Sequence, residues 1–313
     1  MINTIYGHID TLRPSLHLSI FNAKQSDWSS EIVSLPDGDF VALHYPAPLQ
    51  TDKVILLIPG MTSNRKAPVV QSAVTDLLHE GYSPVVVELR NCTDIPGKTA
   101  GYFNAGSVED VDFVIRHLCN KTCAPLMAVI GFSLGGIVMS QWAAKNALAH
   151  KYVRFLHCIS VPLDLGLTAN IVNAGFSRLY QKVVLSRYRY LLKRRQDVTT
   201  LSVVHKLDKI KSMFDFDEQI TVPLNGYQCL EQYYSENSAL QFLKEVRIPC
   251  KLTNSVNDPL IPYNKLYKQL GAQPNFDLNL LANGGHLGLF HASIRSKLKQ
   301  LVTIEAQPAK ISI

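Results

Sequence analysis

Apolar residues along the chain form short runs of strand length, and longer amphipathic stretches separate most of these runs. The runs predicted as strands are 31–35, 40–45, 53–58, 83–88, 126–130, 154–160, 249–255 and 276–281. The stretches predicted as helices are 68–80, 108–119, 134–148, a segment after Pro262, and 287–301. Continuous apolar runs indicate strands buried on both faces, whereas apolar positions that repeat every three to four residues indicate helices. Residues 1–30 are mixed in composition and are expected to wrap the surface.

Strands that alternate with helices predict a mostly parallel sheet of eight strands with helices on both faces. The alternation stops at 162–243, a basic and tyrosine-rich segment that is helical in pattern and contains no strand run. We therefore predict an α/β core formed by residues 1–161 and 244–313, with a helical cap, 162–243, inserted between strands 6 and 7. Ligands bind at the carboxyl edge of such sheets, so the cap should lie over that edge.

The predicted fifth strand should break at Gly131, and Gly131-Phe132-Ser133-Leu134-Gly135 joins it to the next helix. Gly-x-Ser-x-Gly between a strand and a helix is the pattern of a nucleophile elbow, a sharp turn that exposes the serine hydroxyl. Gly131 and Gly135 are expected because the strand and helix backbones approach closely there. Ser133 would lie at the helix N-terminus, where N–H groups favour developing negative charge. A tight turn with an uninvolved serine is the alternative, because so short a pattern also occurs by chance.

A serine hydroxyl becomes a nucleophile when an imidazole takes its proton and a carboxylate orients that imidazole. In this class of site the acid and then the histidine follow the serine along the chain. His286 comes directly after the last predicted strand, in a loop with two glycines, whereas His291 falls inside the last predicted helix. We therefore expect His286 to be the base, with a structural loop histidine as the alternative.

The acid is expected at the end of the seventh strand, where Asp258 stands in Asn257-Asp258-Pro259. A carboxylate before proline can also serve only to form a turn, which is the alternative for Asp258. Glu245 precedes that strand and Asp277 opens the next one, so both are less well placed.

An oxyanion hole requires two backbone N–H donors, one after the nucleophile and one from the loop after the third strand. Leu134 would supply the first donor. Met61 is the candidate for the second, because Pro59 lacks an N–H and Gly60 allows the chain to fold back.

With these residues in place, the sequence resembles the α/β-hydrolases, and within them the YheT-like branch (AB hydrolase type 4 family). The matching segments are Gly7-His8-Ile9-Asp10-Thr11-Leu12-Arg13-Pro14, Arg90-Asn91-Cys92, Tyr102 with Gly106-x-x-x-Asp110, the run from Phe214 to Tyr227, Tyr233-Tyr234, Asn257-Asp258-Pro259 and Gly284-Gly285-His286. Two positions depart from the pattern: Pro59 stands where many relatives carry His, and Asn91 stands where Gly is usual. Asparagine tolerates a left-handed backbone, so the turn at Asn91 is expected to survive.

The resemblance implies hydrolysis of carboxylic esters, with short-chain or lipid acyl esters as the substrate class. We therefore predict a serine carboxylesterase or lipase-like enzyme that forms an acyl-enzyme on Ser133, with neither a metal nor an organic cofactor. An acyltransferase that uses the same acyl-enzyme, and a non-catalytic scaffold with a hydrolase fold, are the alternatives.

The net charge of +6 is concentrated between Arg178 and Lys211, where ten Lys and Arg residues stand against two Asp. On a helical projection one face carries Arg178, Lys182, Arg189 and Lys193, and the other carries Tyr180, Val183, Val184, Tyr188 and Leu191. The simpler hypothesis is a solvated basic face above an apolar face packed on the core. The alternative is peripheral contact of this cap helix with an anionic lipid surface. No nucleic-acid-binding motif accompanies the charge, so nucleic acid is not an expected partner.

Three further features concern location and redox state. Six scattered cysteines lack metal-ligand spacing and are expected to be buried free thiols. Residues 1–14 lack the apolar core of a signal peptide, so a cytoplasmic location is expected. The uncharged run 122–144 is long enough for a membrane span, but three glycines and Pro125 favour a buried strand followed by a buried helix.

Overall fold

The computed structural model describes residues 2–16, 28–99, 101–194, 206–261, 267, 270 and 276–288. The strands are β1 (Ser29–Ser34), β2 (Phe40–Tyr45), β3 (Val54–Ile58), β4 (Ser83–Glu88), β5 (Ala128–Phe132), β6 (Leu156–Ile159), β7 (Cys250–Ser255) and β8 (Phe276–Leu281). The helices of the core are α1 (Ile2–Leu16), α2 (Pro68–His79), α3 (Val108–Thr122), α4 (Leu134–Lys145) and α5 (Ala149–Tyr152). Between β6 and β7 lie α6 (Leu165–Val172), a 3₁₀ turn (Gly175–Ser177), α7 (Arg178–Lys193), α8 (Met213–Phe216), a π-helical turn (Asp217–Thr221), α9 (Val222–Leu224), α10 (Leu230–Asn237) and α11 (Ala239–Leu243).

The strands form one sheet in the order β1-β2-β4-β3-β5-β6-β7-β8. β2 is antiparallel to both β1 and β4, and the remaining neighbours are parallel. The prediction of a mostly parallel eight-stranded sheet is therefore confirmed. Because β5, β6, β7 and β8 are parallel neighbours, the loops that follow them all leave the same edge of the sheet.

Apolar residues of the central strands are buried on both faces of the sheet. Along β3, Val54, Leu56 and Ile58 pack with α3 and α4, while Ile55 and Leu57 pack with α2. This explains why the run reads as continuously apolar, since successive side chains of a strand point to opposite faces and both faces are covered.

The predicted bounds coincide with the observed ones for β2, β4 and β8, and those of the other described elements differ by one or more residues. β5 continues through Gly131 to Phe132, two residues beyond its predicted end at Ile130, because its ladder with β6 extends to the Phe132–Ile159 pair. α4 ends at Lys145, three residues early, where the Asn146 side chain accepts the Leu148 N–H and turns the chain. Residues 2–16 form a helix that was not predicted. The helices predicted after Pro262 and at 287–301 lie outside the described residues, apart from Tyr267 and Leu270 in the former and the start of the latter.

The loop after β4 contains Arg90 and Asn91, two of the residues on which the resemblance to the YheT-like branch was based. Arg90 donates to both carboxylate oxygens of Asp110 at the start of α3, at 2.6 and 2.8 Å. Asn91 has φ 56°, the left-handed conformation expected there, and its Nδ2 donates to Gly101 O at 2.7 Å. The turn therefore survives the replacement of glycine.

The described parts of the segment between β6 and β7, residues 162–194 and 206–243, are helical and contain no strand. Many of its apolar side chains form a separate cluster around Leu185, Tyr188 and Phe216, while others, such as Tyr233 and Leu243, join the main core. Tyr102, from the loop after β4, belongs to that cluster, and Met61, from the loop after β3, packs against it. These helices therefore contact loops that leave the carboxyl edge of the sheet.

Two sequence expectations concern the membrane and the cysteines. Within the described ranges no helix is long and apolar enough to span a membrane, and the uncharged run 122–144 divides between the end of α3, β5 and α4. All six cysteines are free, but the expectation of burial is only partly right. Cys92, Cys158 and Cys250 are buried, whereas Cys123 and Cys229 are exposed.

Candidate active site

The turn between β5 and α4 has a backbone conformation that few residues other than glycine adopt. Ser133 has φ 50° and ψ −116°, and its N–H donates to Ile159 O on β6 at 2.8 Å. Its side chain is half-buried, whereas Phe132 and Leu134 on either side are buried. α4 begins at Leu134, so the turn places the Ser133 hydroxyl at the N-terminus of a helix.

Close backbone packing makes this sharp turn possible. A Cβ atom added to Gly131 would lie 2.7 Å from the backbone carbonyl of Gly135. A Cβ atom on Gly135 would overlap Ile58 O and would lie 2.7 Å from Pro59 O. The predicted reason for glycine at these two positions is therefore confirmed: α4 crosses the ends of β3 and β5 at backbone contact.

Asp258 and His286 come together from the loops after β7 and β8. His286 Nδ1 lies 3.0 Å from Asp258 Oδ2, and the Asp258 side chain is fully buried while that of His286 is 13% exposed. The other carboxylate oxygen of Asp258 accepts the N–H groups of Leu260 and Ile261, each at 2.9 Å. An ionised carboxylate only accepts hydrogen bonds, so Nδ1 must carry the proton, which leaves Nε2 as the basic nitrogen.

Two tyrosines near Asp258 remain neutral. Burial raises the pKa of Tyr180, a hydrogen bond with Thr11 offsets part of this rise, and the negative charge of Asp258 adds to it. Burial also raises the pKa of Tyr267, again with a contribution from Asp258. The Asp258 carboxylate is stabilised by hydrogen-bond donors, namely the N–H groups of Leu260, Ile261 and the His286 ring.

Ser133 and His286 lie at the same edge of the sheet, but the described residues include no hydrogen bond between them. Nucleophile–base hydrogen bonds are often long without substrate and tighten only when substrate binds. Of the three predicted residues, Asp258 and His286 are thus hydrogen-bonded to each other, whereas Ser133 lies on a separate turn at the same edge of the sheet.

The two candidate oxyanion donors flank the serine. A Cβ atom on Gly60 would lie 3.3 Å from Ser133 Cβ and 3.9 Å from Ser133 Oγ, so the loop after β3 passes directly beside the side chain. Among the hydrogen bonds of the described residues, none uses the backbone N–H of Met61 or Leu134. Both donors therefore remain available to a bound group.

Asp277 and Glu245, the two acids considered less well placed, have no hydrogen bond or ion pair with His286 among the described residues. Asp277 pairs with Lys251 across β7 and β8 at 3.3 Å, and Glu245 is exposed after α11. His291 lies outside the described residues. In the described part of the chain no group of three or more His, Cys, Asp or Glu side chains is arranged to hold a metal ion.

Sequence reasoning missed the contribution of α1. Thr11 Oγ1 accepts the backbone N–H of His286 at 2.8 Å, and Asp10 Oδ2 accepts the N–H of Gly284 at 3.1 Å. The segment from Gly7 to Pro14 had been noted only for its resemblance to the family. No contact with the histidine loop was predicted for it.

The chain belongs to the α/β-hydrolase family, because the family model for the alpha/beta hydrolase fold matches residues 53–292. Together with its relatives, this match confirms the predicted membership of the YheT-like branch and makes the chain an esterase- and lipase-like α/β hydrolase.

Two relatives and one solved structure illustrate the kinship. YheT of Escherichia coli (strain K12), a candidate esterase, is 26% identical over 270 residues, which cover 84% of this chain and 78% of YheT. Phospholipase ABHD3 of Bos taurus is 27% identical over 284 residues, 83% of this chain and 66% of ABHD3. The esterase Pf2001 of Pyrococcus furiosus superposes with a TM-score of 0.59 at 16% identity, covering 89% of this chain and 92% of Pf2001, so this likeness concerns the fold alone. The chain spans about two thirds of the length of ABHD3.

Proposed function

We propose that this protein is a serine carboxylic-ester hydrolase in which Ser133, His286 and Asp258 form a catalytic triad. The observation that carries the proposal is the hydrogen bond from His286 Nδ1 to the buried Asp258 carboxylate, at the sheet edge where Ser133 turns outward. A buried carboxylate in this position holds the imidazole in one tautomer and stabilises the imidazolium that forms when it accepts a proton.

In the proposed reaction Ser133 Oγ attacks the ester carbonyl carbon while His286 Nε2 takes the hydroxyl proton. Rotation of the Ser133 side chain, or a small shift of the loop that carries His286, brings the two atoms together when substrate binds. His286 then gives the proton to the departing alcohol, which leaves an acyl group on Ser133. Water, deprotonated by the same nitrogen, releases the acid and restores the serine.

The oxyanion of each tetrahedral intermediate would be bound by the N–H groups of Met61 and Leu134. The absence of other acceptors for these donors among the described residues supports this assignment. Removal of one such donor typically costs about 10²–10³ in kcat.

Short-chain or lipid acyl esters are the proposed substrate class. The name of ABHD3 identifies it as a phospholipase, and that of YheT points to an esterase. We propose further that residues 162–243 act as a cap over the site. The packing of Met61 against the cluster around Leu185, Tyr188 and Phe216 supports this role, because Met61 adjoins Ser133 through Gly60.

Peripheral contact with a lipid surface through α7 is part of the proposal, in a revised form. Arg189 donates to the carbonyls of Leu207 and Ile210. Arg178 donates to Asn173 O, and Lys193 forms an exposed ion pair with Asp208. Three of the four predicted basic side chains therefore have partners within the chain, although Arg178 and Lys193 remain exposed. On the predicted apolar face, Tyr188 and Leu191 are buried as expected, whereas Val183 is 70% exposed. The buried side of α7 is completed by Leu185 and Leu192.

The exposed face of α7 therefore mixes apolar and basic side chains. Leu179 and Val183 alternate with Arg178 and Lys182 along it. α1 lies alongside, since His8 stacks on Tyr180 with ring centroids 5.8 Å apart. Its exposed apolar side chains are Ile5, Tyr6, Ile9 and Leu12. Apolar groups flanked by cations are the composition expected of a surface that rests on anionic lipid.

The kinetics of single variants on an ester series of graded chain length test the proposed reaction. Ser133→Ala and His286→Ala should each lower kcat by roughly 10⁴-fold or more, because the members of a triad act as a unit. Asp258→Asn should have a similar or somewhat smaller effect. Product analysis with an added alcohol would separate hydrolysis from acyl transfer.

Ser160→Ala is the matched control, because Ser160 also has φ 50° and directly follows the neighbouring strand β6, but it is fully buried. It should keep most of the activity. A folded Ser133→Ala protein that hydrolyses esters as fast as the wild type would contradict the proposed mechanism.

A further inference from the structure

The N-terminal helix α1 contacts both loops of the Asp258–His286 pair. We infer that Thr11 is a positioning residue that places the His286 imidazole for proton transfer. This inference rests on the proposed function, since it presumes that His286 is the base. Thr11 itself touches no reacting atom and would act through the backbone of the histidine loop.

Side chains bind every backbone N–H of the loop from Gly284 to His286. The N–H of Gly284 donates to Asp10 Oδ2 at 3.1 Å, and that of His286 donates to Thr11 Oγ1 at 2.8 Å. Between them, the N–H of Gly285 donates to Asn257 Oδ1 at 2.9 Å. Two of the three acceptors therefore belong to α1, and the third belongs to the loop that carries Asp258.

The same helix is tied to the loop of the acid. Asp10 Oδ2, which accepts the Gly284 N–H, also accepts Asn257 Nδ2 at 3.2 Å, so one carboxylate oxygen bridges the two loops. Gly7 lies so close that a Cβ atom there would overlap the carbonyl oxygen of Asn257. α1 is therefore in direct contact with both segments that set the distance between Asp258 and His286.

The histidine loop needs such an external support. Gly284 and Gly285 have φ values of 135° and 55°, conformations that glycine adopts readily and leaves as readily. A loop with two such residues does not fix the next side chain by itself, so its hydrogen-bond partners decide where the imidazole lies. A displacement of about 1 Å at a reacting group can cost on the order of 10²-fold in rate.

Thr11 is suited to this role because its hydroxyl is itself oriented. Thr11 Oγ1 donates to Gly7 O, one turn earlier in α1, at 2.7 Å. The proton is thereby directed along the helix, and a lone pair is left for the N–H of His286. The same hydroxyl also forms a hydrogen bond with the Tyr180 side chain. Substitution by valine keeps the shape of the side chain and removes all three bonds, whereas substitution by serine keeps the hydroxyl that forms them.

The test compares Thr11→Val and Thr11→Ser with a matched variant, Thr75→Val. Thr75, in the middle of α2, is also half-buried, and its hydroxyl likewise donates to the carbonyl one turn earlier, Gln71 O, at 2.9 Å. Both valine variants therefore lose the same helical hydrogen bond, but only Thr11→Val releases the histidine loop.

We expect Thr11→Val to lower kcat for ester hydrolysis by about 10- to 100-fold with little change in KM, because loop placement affects the transition state. Thr11→Ser should recover most of the wild-type kcat, and Thr75→Val should keep it. Thr11→Val should lower the thermal midpoint somewhat more than Thr75→Val, because it also leaves the N–H of His286 without its acceptor. An unchanged kcat in Thr11→Val, an equal loss in Thr75→Val, or failure of serine to recover activity would each overturn the positioning role.

His286→Ala, measured in the same series, distinguishes a failure of the proposed function from a failure of the positioning role of Thr11. If His286→Ala keeps wild-type kcat, the proposed function itself fails. If His286→Ala is inactive while Thr11→Val remains fully active, only the positioning role of Thr11 is wrong.

Discussion

At the scale of single residues, the backbone of Ser133 is the most telling feature of the site. A φ of 50° with a ψ of −116° is unfavourable for any residue with a Cβ atom, and such conformations typically cost about 1–3 kcal/mol. Gly131 and Gly135 make the surrounding close contacts possible. The strained backbone conformation itself, however, lies at Ser133, which is not a glycine. Strained backbone conformations cluster at active sites, so strain at a residue with a reactive hydroxyl indicates a functional turn.

This strain predicts an order of stability for two inactive variants. Ser133→Gly should be more stable than Ser133→Ala by about 1 kcal/mol, because relief of the strained φ outweighs the greater flexibility of glycine in the unfolded chain. Urea denaturation of both variants measures the difference.

Ser140, inside α4, provides the control for this comparison. There the order should reverse, since glycine costs about 1 kcal/mol relative to alanine within a helix. Equal stabilities at position 133, or a more stable alanine variant, would show that the turn is not strained.

At the scale of elements, α7 and α1 show what the sequence could and could not predict. The amphipathic pattern of α7 predicted a helix correctly and put Tyr188 and Leu191 on its inner face, but it misplaced Val183 and missed Leu185 and Leu192. The exact direction of the inner face depends on how the helix packs in the folded chain. α1 contains Gly7 and Pro14, which both weaken helix propensity, so local pattern gave no reason to expect a helix there. Its helical form depends on contacts with loops more than 240 residues away along the chain.

The exposed face of α7 leads to a prediction about vesicle binding. The protein should sediment with vesicles that contain phosphatidylserine, more strongly at low salt, and much less with neutral vesicles. Each Lys or Arg near an anionic surface contributes about 1 kcal/mol, so the double substitution Arg178→Gln with Lys182→Gln should weaken binding roughly 30-fold.

The matched control removes two exposed charges at the opposite edge of the sheet, Lys151→Gln with Arg154→Gln, and should leave vesicle binding unchanged. Equal, weak sedimentation of all variants with both kinds of vesicle would show that α7 makes no lipid contact.

At the scale of the whole molecule, the sheet order brings distant residues to one edge. The alternation of apolar runs with amphipathic stretches was enough to predict this sheet. Because parallel strands end at a common edge, the sequence also predicted that Asp258 lies near His286. The 3.0 Å contact between them agrees with that expectation. The support from α1 could not be predicted, because it depends on long-range packing of backbone against backbone at Gly7 and Gly285.

The central claim is that Ser133 is a nucleophile activated by His286, and covalent trapping tests it most directly. The protein is incubated with a fluorophosphonate, which reacts with activated serines, and the site of the added mass is located by peptide mass spectrometry. The account predicts a single adduct on Ser133 that is absent in Ser133→Ala, unchanged in Ser160→Ala and formed far more slowly in His286→Ala. A folded wild-type protein that forms no adduct, or forms it on another serine, would contradict the account.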